Sequence, residues 1–135
     1  MLQVKDAMYP VSHPLQPEMM LVEAVDHILN AGVIGLPVVN QAHEVVGFLS
    51  EHDCLPFLVT GSYHCDSRIQ VKDIMHTEPV SVSPNKSIVD LAQEMGLNRP
   101  KVYAVVEDDR MIGLITRSMV MRELNQSLKH CKVVA

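Results

Sequence analysis

VKDAM occupies Val4–Met8, and VKDIM occupies Val71–Met75. From these anchors the chain runs parallel to itself without a gap, residues 4–39 against residues 71–106. Pro17 faces Pro84, Leu21–Val25 faces Ile88–Ala92, and Val38-Val39 faces Val105-Val106. After a one-residue slip in a turn, Gly47–Ser50 faces Gly113–Thr116. A repeat of this kind decides the architecture before any motif is weighed. Two units, each too small to bury a good core, must pack on one another. The join between them makes a cleft, the usual seat of a small ligand.

Within each unit the periodicities read alike. The VKDxM segments read as short helical turns. Extended segments follow at residues 13–16 and 80–83, where Val80 and Val82 alternate with Ser81 and Ser83. Pro14 lies in the first of these and places it at a sheet edge. Leu21, Ala24, Val25, Ile28 and Leu29 form one helical stripe, and Ile88, Leu91, Ala92 and Met95 repeat it. Glu18 and Asp90 are expected in or near the opening turns of these helices, where the dipole favours acids. Residues 35–39 and 45–49 read as a hairpin, as do 102–106 and 111–115. A last helix follows each hairpin, from Glu51 and from Arg117. Pro56 is expected to kink or shorten the first of them, and residues 60–69 read as a connector.

The expected fold class is therefore α/β: two β-α-β-β-α repeats packed about a pseudo-twofold axis. The boundaries are 1–62 for the first repeat, 63–70 for the linker, 71–126 for the second repeat and 127–135 for a tail.

Bulk composition narrows the function. The chain has 135 residues, 47% hydrophobic and 20% charged, which suits a globular protein rather than a disordered one. Aromatics are 4% with no Trp, so the core is aliphatic, with nine Met as an adaptable filler. A net charge of −5 without a Lys/Arg cluster argues against a nucleic-acid partner. The N-terminus lacks the apolar run of a signal peptide, and no stretch is long enough to span a bilayer. Three cysteines without a CxxC pair fit reduced thiols and a cytoplasmic location.

Four features together resemble the tandem cystathionine-β-synthase (CBS) domain pair, or Bateman module. They are VKDAM and VKDIM, Pro17 and Pro84 before the first helices, LPVV at Leu36–Val39, and GFLSEHD at Gly47–Asp53. The resemblance covers nearly the whole chain and leaves no catalytic domain outside it. It implies a non-catalytic regulatory module that senses an adenosine nucleotide in the inter-repeat cleft and signals to a partner protein. It also implies a Ser/Thr and an Asp three residues apart that hold phosphate or ribose, with backbone of the second strand against the base. AMP, ADP, ATP and S-adenosylmethionine are the implied ligands, none of them a required cofactor. A homodimer is implied too, through the apolar residues Leu55, Phe57, Leu58, Val59, Met119, Val120 and Leu124 of the closing helices.

Carried onto this chain, the Ser/Thr and Asp are Ser50 and Asp53 in the first repeat. The second repeat has Thr116 but Met119 where the Asp belongs. A carboxylate accepts hydrogen bonds from both ribose hydroxyls, which a thioether cannot. The better site is therefore placed at Ser50 and Asp53, with Val33, Ile34, Gly35, Leu36 and Pro37 toward the base and His13 toward a phosphate. The weaker site comprises Val80, Lys101, Val102, Tyr103, Thr116 and Arg117. Glu51, next to Ser50, disfavours a polyphosphate and so favours AMP or a bare adenosine moiety.

Ser50–Asp53 is equally a helix capping box, and the sequence leaves both readings open. His13, His52, Lys101 and Arg117 are phosphate candidates or solvated surface charges. His52-Asp53-Cys54 and His64-Cys65-Asp66 lack the spacing of a zinc site. No P-loop, GxSxG or HExxH motif is present, so an enzyme is not expected, and Cys54 beside an Asp is poorly placed to be a thiolate. The alternative is a ligand-free interaction or dimerisation module; a small hydrolase lacks a nucleophile.

Overall fold

The computed structural model describes residues 2–11, 13–96 and 101–131. Of the tail expected at 127–135, residues 132–135 lie outside them. In chain order the elements are α1 (Val4–Ala7), α2 (Leu21–Ala31), β1 (Gly35–Val39), β2 (Val45–Ser50) and α3 (Glu51–His64). The second half supplies α4 (Val71–Ile74), β3 (Ser81–Val82), α5 (Ile88–Glu94), β4 (Val102–Glu107), β5 (Arg110–Thr116) and α6 (Arg117–Lys129).

Both hairpins form, β1 against β2 and β4 against β5, each with a register shift near its turn. β3 adds to β4 in parallel. Its counterpart in the first half shrinks to a single parallel bridge, Leu15 to Val38, at the edge where Pro14 places it. Leu15 is nevertheless fully buried. The missing ladder bonds do not stop its side chain from filling the core.

The VKDxM segments explain themselves. Val4 and Val71 are buried plugs. Asp6 Oδ2 accepts from the Gln3 N–H at 2.8 Å, and Asp73 Oδ2 accepts from the Gln70 N–H at 2.9 Å, closing each short turn. Each segment docks on the other repeat. Val4 N–H donates to the Lys86 carbonyl and Ile88 N–H to that of Leu2; in the first repeat, Val71 N–H donates to Met19 and Leu21 N–H to Ile69. Beyond each turn, Tyr9 and Leu114 exchange two backbone hydrogen bonds at 2.8 and 2.9 Å, and His76 and Phe48 exchange two at 2.9 Å. The lead-ins therefore cross. Val4 packs with Val82, Ile88, Tyr103 and Ile115 of the second repeat, and Val71 with Leu21, Leu36 and Leu49 of the first.

The central glycine of each hairpin permits this crossing. A Cβ on Gly47 would stand 2.8 Å from the His76 carbonyl oxygen, and one on Gly113 would stand 2.8 Å from that of Tyr9. Backbone at that separation tolerates no side chain. Between the two sheets, Val39, Ala104 and Met111 form a third buried cluster that joins the halves.

Several expectations are corrected. Helix α3 runs unbroken through Pro56 to His64, so the connector read at residues 60–69 starts at Cys65. Pro56 removes one intrahelical donor near the N-terminus and leaves later turns intact. Glu18 precedes α2, and Glu23 is the acid of its first turn. Leu29 of the apolar stripe is exposed. On α6, Val120 is buried, and Met119 and Leu124 pack against the second core. The exposed apolar side chains there are Met121 and Leu128 instead.

Candidate functional site

Two cavities open between the repeats. The larger, about 660 Å³, is walled by Val11, Val33, Ile34 and Leu36 of the first repeat and by Val102 and Leu114 of the second. Its polar lining is Tyr9, His13, His27, Asn30, Lys101, Thr116, Arg117, Ser118 and Arg122, with Met119 beside them. The smaller, about 500 Å³, is lined by Ile34, Phe48, Ser50, Glu51 and His52 of the first repeat and by His76, Glu78, Pro79, Val80, Lys101 and Val102 of the second. Both volumes fall in the range of small-molecule sites.

The residues expected to act together are thus dealt out differently. His13, Val33, Ile34 and Leu36 join Thr116 and Arg117 in the larger cleft. Ser50 joins Val80 in the smaller one, and Ile34, Lys101 and Val102 line both. The crossing lead-ins and the antiparallel set of the two units cause this. Each cleft takes a helix N-terminus from one repeat and strand-entry backbone from the other. Gly35 and Pro37 are buried in β1, and Tyr103 is buried in the second core; none of the three lines a cleft.

Asp53 also lines neither cleft. The capping box forms: Asp53 N–H donates to Ser50 Oγ at 3.2 Å, and Asp53 Oδ2 accepts from Ser50 N–H at 3.0 Å. Ser50 Oγ also donates to Oδ2 at 2.8 Å. The other oxygen, Oδ1, meets His76 Nε2 at 2.8 Å. Burial pushes the Asp53 carboxyl up. Its hydrogen bonds from Ser50 and the neighbouring His76 outweigh that, and the net shift is downward. The Cys54 thiol is pushed up, first by burial and then by the carboxylates of Asp53 and Glu51. It is accordingly a poor thiolate.

The equivalent place in the second repeat is built from other residues. Thr116 caps α6 through Met119 N–H at 3.1 Å. Met119 stands for Asp53, Tyr9 for His76 and Arg117 for Glu51. Among the described residues, Lys101, Arg117 and Arg122 form no salt bridge, and no acidic residue lines the larger cleft. Three cations beside the N-terminus of a long helix suit an anion. The smaller cleft shares Lys101 but adds Glu51 and Glu78.

The sequence reading missed Arg122, His27, Asn30, Tyr9 and His76. Helical spacing pointed to some of them: His27, Asn30 and Ala31 are i, i+3 and i+4 on α2, and Met119 and Arg122 are i and i+3 on α6. Tyr9 and His76 each directly follow a VKDxM motif. The two imidazoles at the mouth of the larger cleft, His13 and His27, meet edge to face at 6.4 Å between centroids. Among the described residues no group of three or more His, Cys, Asp or Glu is placed to hold a metal ion. No described helix is long and apolar enough to cross a membrane.

Comparison with known proteins bears on both halves. A "CBS domain-containing protein YhcV" from Bacillus subtilis is 29% identical over 115 residues, which cover 85% of this chain and 80% of that protein. CBSX2, a CBS-pair protein from Arabidopsis thaliana solved in complex with AMP, is 25% identical. It superposes with a TM-score of 0.79, covering 95% of this chain and 99% of that one. The CBS domains of a transcriptional regulator from Streptococcus pneumoniae share the fold, with a TM-score of 0.74 at 21% identity over 90% of this chain and 98% of that one. The sequence profile of the CBS domain matches twice, at residues 4–60 and 71–126, on the same two units that the repeat and the hairpins delimit, and the chain belongs to the CBS-domain family as a tandem pair.

Proposed function

We propose that this CBS pair is a non-catalytic regulatory module that takes an adenosine nucleotide into the larger cleft and passes the change to a partner protein. The observation that carries the reading is the lining of that cleft. Apolar walls from both repeats surround a cavity of about 660 Å³, with Lys101, Arg117 and Arg122 in its lining and no carboxylate there among the described residues. The walls suit a flat base, and the cations with the α6 N-terminus suit phosphate. A ligand there touches both repeats, so its binding energy favours one setting of the two units over others.

AMP is the favoured ligand, supported by the AMP complex of CBSX2. The argument from Glu51 against polyphosphates belongs to the smaller cleft, where Glu51 lies. The decisive measurement is calorimetric titration with AMP, ADP, ATP and S-adenosylmethionine. AMP binding that weakens at least tenfold in Arg117→Ala supports the reading. No binding of any of the four at millimolar concentration removes it.

The rival reading, a ligand-free interaction module, draws on one observation: the Asp53 carboxylate is already engaged by Ser50 and His76. In either reading we propose a homodimer through α3, where Leu55, Phe57, Val59 and Tyr63 are exposed. Sedimentation showing only monomer at micromolar concentration overturns that part.

A further inference from the structure

We infer that His76 is a built-in competitor for ribose: it occupies the Asp53 carboxylate and keeps the smaller cleft closed to nucleosides until its imidazole swings away. The inference rests on the nucleotide reading above and adds a residue that decides which cleft is open.

The carboxylate offers about four acceptor positions. Three are taken, two on Oδ2 by Ser50 N–H and Oγ and one on Oδ1 by His76 Nε2. A ribose diol needs two. The Ser50 bonds belong to the helix cap and stay. The His76 bond is therefore the one that must break.

Position agrees with that role. Ser50 and His76 line the smaller cleft while Asp53 does not, so the cavity meets the imidazole and not the carboxylate it bonds. The His76 backbone is pinned by its two hydrogen bonds to Phe48 at 2.9 Å. Its side chain remains 66% exposed, against 13% for Asp53. Motion is thus confined to side-chain rotation toward open solvent.

The other repeat lacks the arrangement. Tyr9 and Met119 occupy the equivalent places and line the larger cleft. A phenol and a thioether do not reproduce the imidazole–carboxylate contact.

Glu51 and Glu78 outnumber Lys101 in the lining of the smaller cleft and disfavour phosphate, so its ligand class is an unphosphorylated nucleoside, and the probe is adenosine. Calorimetry should give one adenosine per chain for the wild type and two for His76→Ala, with melting temperature reported alongside to confirm folding. The second site should vanish in the His76→Ala/Asp53→Ala double variant. His76→Ser provides the same opening if the alanine variant folds poorly. One site in every folded variant overturns the inference and leaves the nucleotide reading standing, as does a wild type that already binds two. One site in His76→Ala with none in the wild type also upholds the inference, and the larger-cleft reading, which rests on phosphate, is then judged by AMP. No binding anywhere at millimolar adenosine overturns the inference and leaves the larger-cleft reading to the AMP titration.

Discussion

The two clefts share one plan and differ in charge. Each sits under a capped helix, beside a strand entry from the opposite repeat and a lead-in crossing a glycine. In the larger, the helix opens with Arg117 and is capped by Thr116 alone, with Met119 and Tyr9 in place of a carboxylate and an imidazole. In the smaller, it opens with Glu51, and Asp53 holds His76 at 2.8 Å. Three substitutions on a common frame, Glu51 against Arg117, Asp53 against Met119 and His76 against Tyr9, turn one cavity toward anions and the other away from them. Duplication supplied the frame, and specificity resides in a few positions around each helix N-terminus.

The frame is the place to break this comparison most severely. Residues 1–66 end before Val71 and His76, so the first sheet loses the lead-in that covers it. We expect no cooperative unfolding from that fragment by circular dichroism. Residues 10–78, of similar length, retain their own covering lead-in and should show a measurable transition. Equal behaviour of the two fragments would mean that the crossing contributes little.

Charge reversal at the larger cleft comes next. Arg117→Glu with Arg122→Glu should weaken AMP binding by about a hundredfold or more, since hydrogen bonds to charged groups contribute about 1.5–3 kcal/mol each. The same pair of changes should leave the melting temperature nearly unaltered, because both side chains lie at the surface of the cleft. Retained AMP affinity would show that the ligand sits elsewhere.

Gly113→Ala and Gly47→Ala test the frame more gently. Each should destabilise by about 1–3 kcal/mol, the usual effect of overpacking, read from chemical denaturation. Gly32→Ala is a poor comparison because Gly32 sits in the left-handed region at φ 68°. Gly96, with open space around its α-carbon, is the better control.

The smallest effect concerns Asp53. Asp53→Ala should cost about 1 kcal/mol, the value of a helix cap. Its folded carboxyl titrates below the ordinary value, so its contribution is present above the unfolded pKa, about 3.9, and is lost as pH falls through the folded one. Denaturation of wild type and Asp53→Asn between pH 3 and pH 7 should therefore converge at the acid end. Curves that stay parallel would remove the electrostatic part of the cap.

Most of the frame was legible in the sequence. The hairpins, the helical stripes and the edge position forced by Pro14 follow from local periodicity and backbone sterics. Membership of the clefts was not. Because VKDAM and VKDIM are nearly identical, their local chemistry is satisfied equally by docking on their own repeat or on the other. The choice depends on contacts distant in sequence, such as Tyr9 with Leu114 and His76 with Phe48. That ambiguity also misplaced Ser50 beside Val33 and Leu36. The capping box at Ser50 and Asp53 was readable in either of two ways, and a side chain far along the chain, His76, was needed to show what the second carboxylate oxygen does. Pro56 was misjudged because a proline near a helix start removes one bond and need not end the helix.

The crossed lead-ins also order events during synthesis. Chains emerge N-terminus first, and domains tend to fold as they appear. Here the first sheet waits for residues 69–76 before its core is sealed, although its own strands left the ribosome earlier. Val4 and Tyr9 emerge before the elements they dock on, and Tyr9 has no partner until β5 has followed. This lead-in is thus among the last segments to settle, and until then it can find the same groove in a neighbouring copy.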